Sequence, residues 1–236
     1  MLINLRNALM AGKRTPTAKD YVQSGLIAMW DGIENAGWGV HDASATTWKD
    51  LIGSMNMIIN HGSWGDTSFI CDNGNTCGAY NANPIDPITA EVLFRTKTSY
   101  DTATFQECHI IDFNAVKMLN VILNDTTQLG IGYSFYTATS PRRYVNTGHS
   151  FADVLSSVSI NYKDNDYYYN AIAQTVGTQD ATVGVPARLE INGRSSSFPS
   201  KCWDGEIYCI RLYSRALNAD EIARNYAIDK ARFNLP

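Results

Sequence analysis

With 236 residues, 44% of them hydrophobic and 18% charged, the chain is long enough to bury a full core without covalent staples. A net charge of −4 with no basic stripe excludes nucleic acid as a partner. No apolar run approaches the roughly 20 residues of a membrane helix.

Residues 1–20 read as an N-terminal appendage. Leu5, Ala8 and Leu9 give a helical turn or two, and residues 12–20 read as an extended connector. Arg6 and Asn7 interrupt the short opening apolar stretch, so it is not read as a secretory leader, and synthesis in the cytoplasm is expected. Residues 21–236 read as a single domain. Short β-like runs at 26–30, 55–59, 91–98, 108–113, 117–123, 129–136, 154–162, 167–175 and 206–213 alternate with Gly, Asn, Asp and Pro clusters. Asn192-Gly193 is a hairpin signal. Near the end, Asn218 stands three residues before Glu221, as an N-cap and its acidic partner do, and Ala219, Ile222 and Tyr226 follow at helical spacing. The pattern is all-β, an antiparallel two-sheet jelly-roll sandwich with a short C-terminal α-helix.

Both ends carry a resemblance. The run Gly25-Leu26-Ile27-Ala28-Met29-Trp30-Asp31-Gly32, followed by Thr46-Thr47-Trp48-Lys49-Asp50-Leu51-Ile52-Gly53, resembles the opening of the concanavalin A-like lectin/glucanase sandwiches in their laminin-G-like branch. The closing strand, Arg215-Ala216-Leu217 and the capped helix resemble the end of the same family. Residues 6–42 also resemble the start of gut-bacterial, prophage-associated proteins with this sandwich. That resemblance implies incorporation into a phage-like particle, with residues 1–20 as the piece that attaches to a virion partner or to a second copy.

The family contains glucanases, so paired acids come first. Two carboxylates spaced E-x-D-x-E along one strand share a face, as retaining hydrolysis needs. No such pair is present: Glu107 shares its face with His109 and Ile111, and Glu91 is followed by Leu93 and Arg95. There is no G-x-S-x-G, and His41, His61, His109 and His149 show no metal-ligand spacing. The chain is therefore expected not to be an enzyme. A diverged glycoside hydrolase with acids drawn from different strands stays open as the lesser alternative.

Binding has more support. Gly130, Gly132, Ser134 and Tyr136 alternate with apolar residues, as do Asn120 and Asn124 in the preceding run and Ser157, Ser159 and Asn161 in a later one. His109 shares such a strand pattern. A face of Gly, Ser and Asn beside an aromatic is either a sugar-binding surface or the solvated side of an ordinary antiparallel sheet. Trp38 and Trp64 stand beside glycines in loops, where an indole is a stacking platform or, the favoured reading, a lid packed back on the sandwich. Tyr136, Ser134, Asn120, Asn161, His109, Trp38 and Trp64 are the candidate ligand-binding residues. The leading function is a glycan or surface-polysaccharide recognition module without catalysis. A structural or assembly protein of the same fold is the alternative.

No cofactor is required. The family resemblance implies calcium near a loop rim, for which Asp31, Asp42 and Asp50, or the run Lys163-Asp164-Asn165-Asp166, are options; neither matches a known calcium loop and no ligand is assigned. All five cysteines are read as reduced, although Cys71 and Cys77 bracket a short loop and Cys202 and Cys209 flank a turn.

Overall fold

A computed structural model describes residues 14–71, 78–96, 106–113, 117–124, 128–135, 154–163, 166–174, 188–193 and 204–235. These form two antiparallel sheets and one α-helix, the all-β sandwich expected from the sequence. The strands are β1 (Leu26–Asp31), β2 (Thr47–Trp48), β3 (Met57–Ile59), β4 (Ser63–Trp64), β5 (Phe69–Cys71), β6 (Ala79–Asn81), β7 (Thr89–Thr96), β8 (Gln106–Phe113), β9 (Lys117–Asn124), β10 (Gln128–Phe135), β11 (Leu155–Asn161), β12 (Asp166–Tyr169), β13 (Ile172–Gln174), β14 (Leu189–Ile191) and β15 (Gly205–Tyr213). The helix is α1 (Ala219–Arg232).

One sheet runs β13-β12-β11-β7-β15-β5-β4, with β1 also paired to β15. The other runs β10-β9-β8-β14-β6-β3-β2. Between them lies an apolar core. Ala90, Val92 and Phe94 of β7, Val158 and Ile160 of β11 and Ile207, Ile210 and Leu212 of β15 meet Ile110, Ile111, Phe113, Leu189 and Ile191 from the facing sheet. Successive side chains point to opposite sheet faces, so this alternation alone commits half of each strand to the interior.

The other half of β7 and β15 is buried too, beneath α1 and residues 18–22. This is why both strands lack a polar side: each has two covered faces. Strand β15 is the organiser. It pairs with β7 along its length, with β5 at Gly205–Ile207 and with β1 at Cys209–Tyr213. The changeover falls at a bulge at Tyr208, whose carbonyl accepts the Gly32 N–H at 2.8 Å. There the chain leaving β1 passes the residues that lead into β5 so closely that a Cβ on Gly32 would stand 2.3 Å from the Thr67 carbonyl oxygen.

The helix starts as the sequence predicts. Asn218 Oδ1 accepts the Glu221 N–H and the Glu221 carboxylate accepts the Asn218 N–H, each at 3.0 Å. Arg215 then grips Glu221 through both guanidinium nitrogens, at 2.8 and 2.6 Å, and holds the helix against the loop before β1 through the Ser24 carbonyl. The docking stripe is Ile222, Asn225, Ile228 and Asp229, with Tyr226 at its margin. Two of its members are polar, which the apolar periodicity did not announce. Asp229 makes a two-pronged pair with Arg211 at 2.7 and 2.8 Å and accepts from the Tyr21 hydroxyl. Asn225 donates to Glu91 and to Tyr213, and accepts the Val22 N–H. Glu91 also takes the Arg211 Nε and the Ser159 hydroxyl. Every buried charge in this layer thus has a partner, without which each would cost several kcal/mol, roughly 3–5 for a broken pair.

Residues 14–20 differ from the extended connector expected. Residues 18–20 form a capped 3-10 turn in which Thr17 and Asp20 bond reciprocally, and Arg14 pairs with Asp20 at 2.6 Å. Tyr21 is fully buried, with Arg211 and Arg232 stacked over its ring at 4.2 and 5.5 Å.

Candidate functional site

The seven candidate residues do not gather in one place. Asn120 of β9 is the direct cross-strand partner of both His109 in β8 and Gly132 in β10, so these three positions share one row of the seven-stranded sheet. Ser134 lies one row away, opposite Met118 and in line with Asp112. Asn161 ends β11 in the other sheet. The Gly/Ser/Asn face read from the sequence is therefore divided between two sheets. On β11 it is not solvated either: Ser157, Ser159 and Asn161 are buried, Ser159 bonds Glu91 beneath the helix, and the Asn161 amide oxygen caps the Lys163 N–H. Alternation assigns residues to faces of a strand but not strands to sheets. Tyr136 and the Arg142-Arg143 pair lie outside the described residues.

His109 is buried and its Nδ1 lies 2.7 Å from Asp112 Oδ2. A bulge between His109 and Ile111 puts both groups on one side of β8. Asp112 is in turn the cross-strand partner of Glu190 on β14, which pairs with Arg188 at 2.9 Å. A search along single strands could not find these two acids, because 78 residues of chain, from position 112 to position 190, separate them.

The two loop tryptophans part company. Trp64 on β4 is half-buried. Its indole N–H donates to the Ala45 carbonyl at 2.9 Å, and its ring meets Trp48 and Phe69 edge-on with centroids 5.1 and 5.2 Å away. It is the lid that the sequence reading favoured. Trp38 is the opposite case. It stands at the tip of a tight hairpin in which the Ala36 N–H bonds the Val40 carbonyl, the Val40 N–H bonds the Gly37 carbonyl and the Gly39 N–H bonds Glu34 Oε2. Gly37 and Gly39 flank it with φ of 130° and 70°, conformations that favour glycine. Trp38 remains 39% exposed, and over its ring lies the Lys19 ammonium, 4.9 Å from the centroid. Lys19 went unnoticed in the sequence because it belongs to the presumed connector; only the turn at 18–20 delivers it to residue 38.

The first-loop carboxylates are committed within the fold. Asp31 takes the Ile33 and Glu34 N–H groups and pairs with Arg232; burial pushes its carboxyl up, against the pull of that arginine. Asp50 takes four backbone N–H groups, from Met29, Ile52, Gly53 and Met55. Asp42 Oδ1 takes both the N–H and the hydroxyl of Ser44, which hold its carboxyl below the usual range. The trio does not fit a calcium ion, which needs six to eight oxygens turned to one point. The described residues contain no group of three or more His, Cys, Asp or Glu side chains placed to hold a metal. Residues 161 and 166 close a β11–β12 hairpin, in keeping with the turn read at 163–166.

No protein-family model matches the chain, and no curated protein does. Solved structures do. A Trypanosoma rangeli sialidase in complex with sialic acid superposes with a TM-score of 0.59 at 14% identity, over 94% of this chain and 34% of that one. The receptor-binding domain of botulinum neurotoxin type G gives 0.60 at 14%, over 87% and 52%. The binding domain of Paraclostridial mosquitocidal protein 1 gives 0.60 at 11%, over 86% and 52%. At these identities the likeness is one of fold. The chain spans about a third of the sialidases' length and about half of the toxin domains'. The expectation of a chain without catalysis is corrected here. Several of the matched structures are sialidases, one of them carrying a covalent intermediate, so lacking a single-strand acid pair does not set this fold apart from enzymes.

Proposed function

We propose that the chain is a glycan-recognition domain of the concanavalin A-like, laminin-G-type class, and that it meets its ligand at the rim loop built around Trp38. The observation that carries this reading is an exposed indole held on a backbone that is hydrogen-bonded to itself. Sugars bind by laying their C–H faces on aromatic rings, and a pre-ordered ring loses little entropy on contact. The fold's likeness to a sialidase crystallised with sialic acid and to two toxin binding domains supports a carbohydrate ligand. A phage-like setting, with residues 1–20 attaching to a particle, belongs to the same proposal and rests on the N-terminal resemblance.

The test is a glycan array on the purified chain, run in calcium and again in EDTA, beside Trp38→Ala. Specific binding that Trp38→Ala abolishes is expected. A blank array in both conditions would move the weight to an assembly role.

A further inference from the structure

We infer that the Trp38 loop selects glycans bearing a carboxylate on the sugar, the class of uronic and nonulosonic acids. The inference rests on the glycan-binding reading above and adds the charge of the ligand.

It comes from how the loop distributes its charges. The carboxylates near the platform are drawn into the fold. Asp31 and Glu34 both turn to Arg232, beneath the loop, and the second oxygen of Glu34 holds the Gly39 N–H. Asp20, beside Lys19, is taken by Arg14 and by the Thr17 N–H. Asp42 is the exposed exception, and one of its oxygens is engaged by Ser44. Left facing outward with Trp38 are cationic and neutral groups. Lys19 is exposed, lies over the indole, and forms no ion pair among the described residues. His41, just past the hairpin, donates from Nδ1 to the Gly32 carbonyl and is otherwise exposed.

The geometry suits one ligand chemistry. Lys19 covers one face of the indole and leaves the other for a pyranose. The open surroundings of Gly37 and Gly39, where an added Cβ would meet nothing within 4 Å, give the sugar room to approach. The lysine stem is flexible, so its ammonium can swing to the ring edge and meet a carboxylate on the stacked sugar. A neutral sugar has only the ring. An acidic sugar has the ring and the charge, and exchanges the weak cation–π contact of Lys19 for an ion pair.

The test compares matched ligands by calorimetry: 3′-sialyllactose against lactose, and a glucuronate oligosaccharide against its carboxyl-reduced counterpart, at low and at 0.5 M salt. An exposed ion pair is worth up to about 1 kcal/mol, so at least one acidic member should bind roughly three- to fivefold tighter than its neutral partner. High salt should remove that margin. Lys19→Gln should bring acid and neutral forms level, and Trp38→Ala should weaken both. Both side chains are exposed, and circular dichroism checks that each variant folds. Neutral members binding as well as acidic ones through Trp38, or a preference that survives Lys19→Gln, would overturn the inference and leave glycan recognition standing. Binding that ignores Trp38→Ala would overturn the placement of the site as well. Failure of every sugar, acidic or neutral, together with a blank array, would remove glycan recognition itself.

Discussion

Two tryptophans in nearly the same local sequence, Gly37-Trp38-Gly39 and Ser63-Trp64-Gly65, end in opposite environments. Trp64 lies on a strand that pairs with β5, so its ring falls among Phe69 and Trp48 and closes one edge of the core. Trp38 lies on a hairpin whose hydrogen bonds are spent internally, which leaves nothing for the indole to pack on but a lysine. The residue type and its glycine neighbours are the same signal in both. What separates platform from lid is the partner that the fold brings, and that partner comes from elsewhere in the chain.

The comparison can be broken by mutation. Trp64→Ala should have the largest effect, a loss of about 2–4 kcal/mol in denaturant unfolding, at or below the usual range for a core tryptophan because the ring is half-buried. A loss under 1 kcal/mol would deny it the role of lid. Glu34→Gln comes next. It weakens the Gly39 tie and the contact with Arg232, and should cost about 1–2 kcal/mol. It should also loosen the Trp38 hairpin, read as faster amide exchange at Gly39. Trp38→Ala should leave stability within about 0.5 kcal/mol, as for an exposed side chain, so a binding defect in that variant would be local. The smallest effect concerns Asp20. The Thr17 N–H first, and then Arg14, hold its carboxyl down at about 2. A depressed folded value means that its contribution is present above the ordinary carboxylate range and is lost as pH falls through about 2. The Lys19–Trp38 contact, followed by indole chemical shifts, should therefore persist at pH 4. Its loss near pH 4 would show that the turn does not hold Lys19 in place.

The legible parts of this chain were the local ones. Asn218 and Glu221 announce a helix start because the two groups of a capping box lie three residues apart. Strand rhythm announced the sandwich, and Asn192 and Gly193 both take the positive φ that their pairing implies. The layer beneath the helix was not legible. Glu91, Arg211, Asn225 and Asp229 meet across up to 138 residues of sequence, from position 91 to position 229, and each looks like an ordinary solvated polar residue until α1 folds over it. The same distance hid the split of Asn120 and Asn161 between sheets, the Asp112–Glu190 pairing and the arrival of Lys19 at Trp38. Polar residues interrupt an apolar pattern without saying whether water or a distant partner satisfies them.

The position of β15 also has a consequence in time. It lies between β7 on one side and β1 and β5 on the other, yet it is the last strand to leave the ribosome. Until residue 213 emerges, β1, β5 and β7 present unpaired edges and half of a hydrophobic core. At synthesis rates of ~5–20 residues per second, that exposure lasts on the order of ten seconds or more. The nascent chain is thus the aggregation-prone form of this protein, and a helper that shields the first two hundred residues would raise its yield more than any substitution in the finished core.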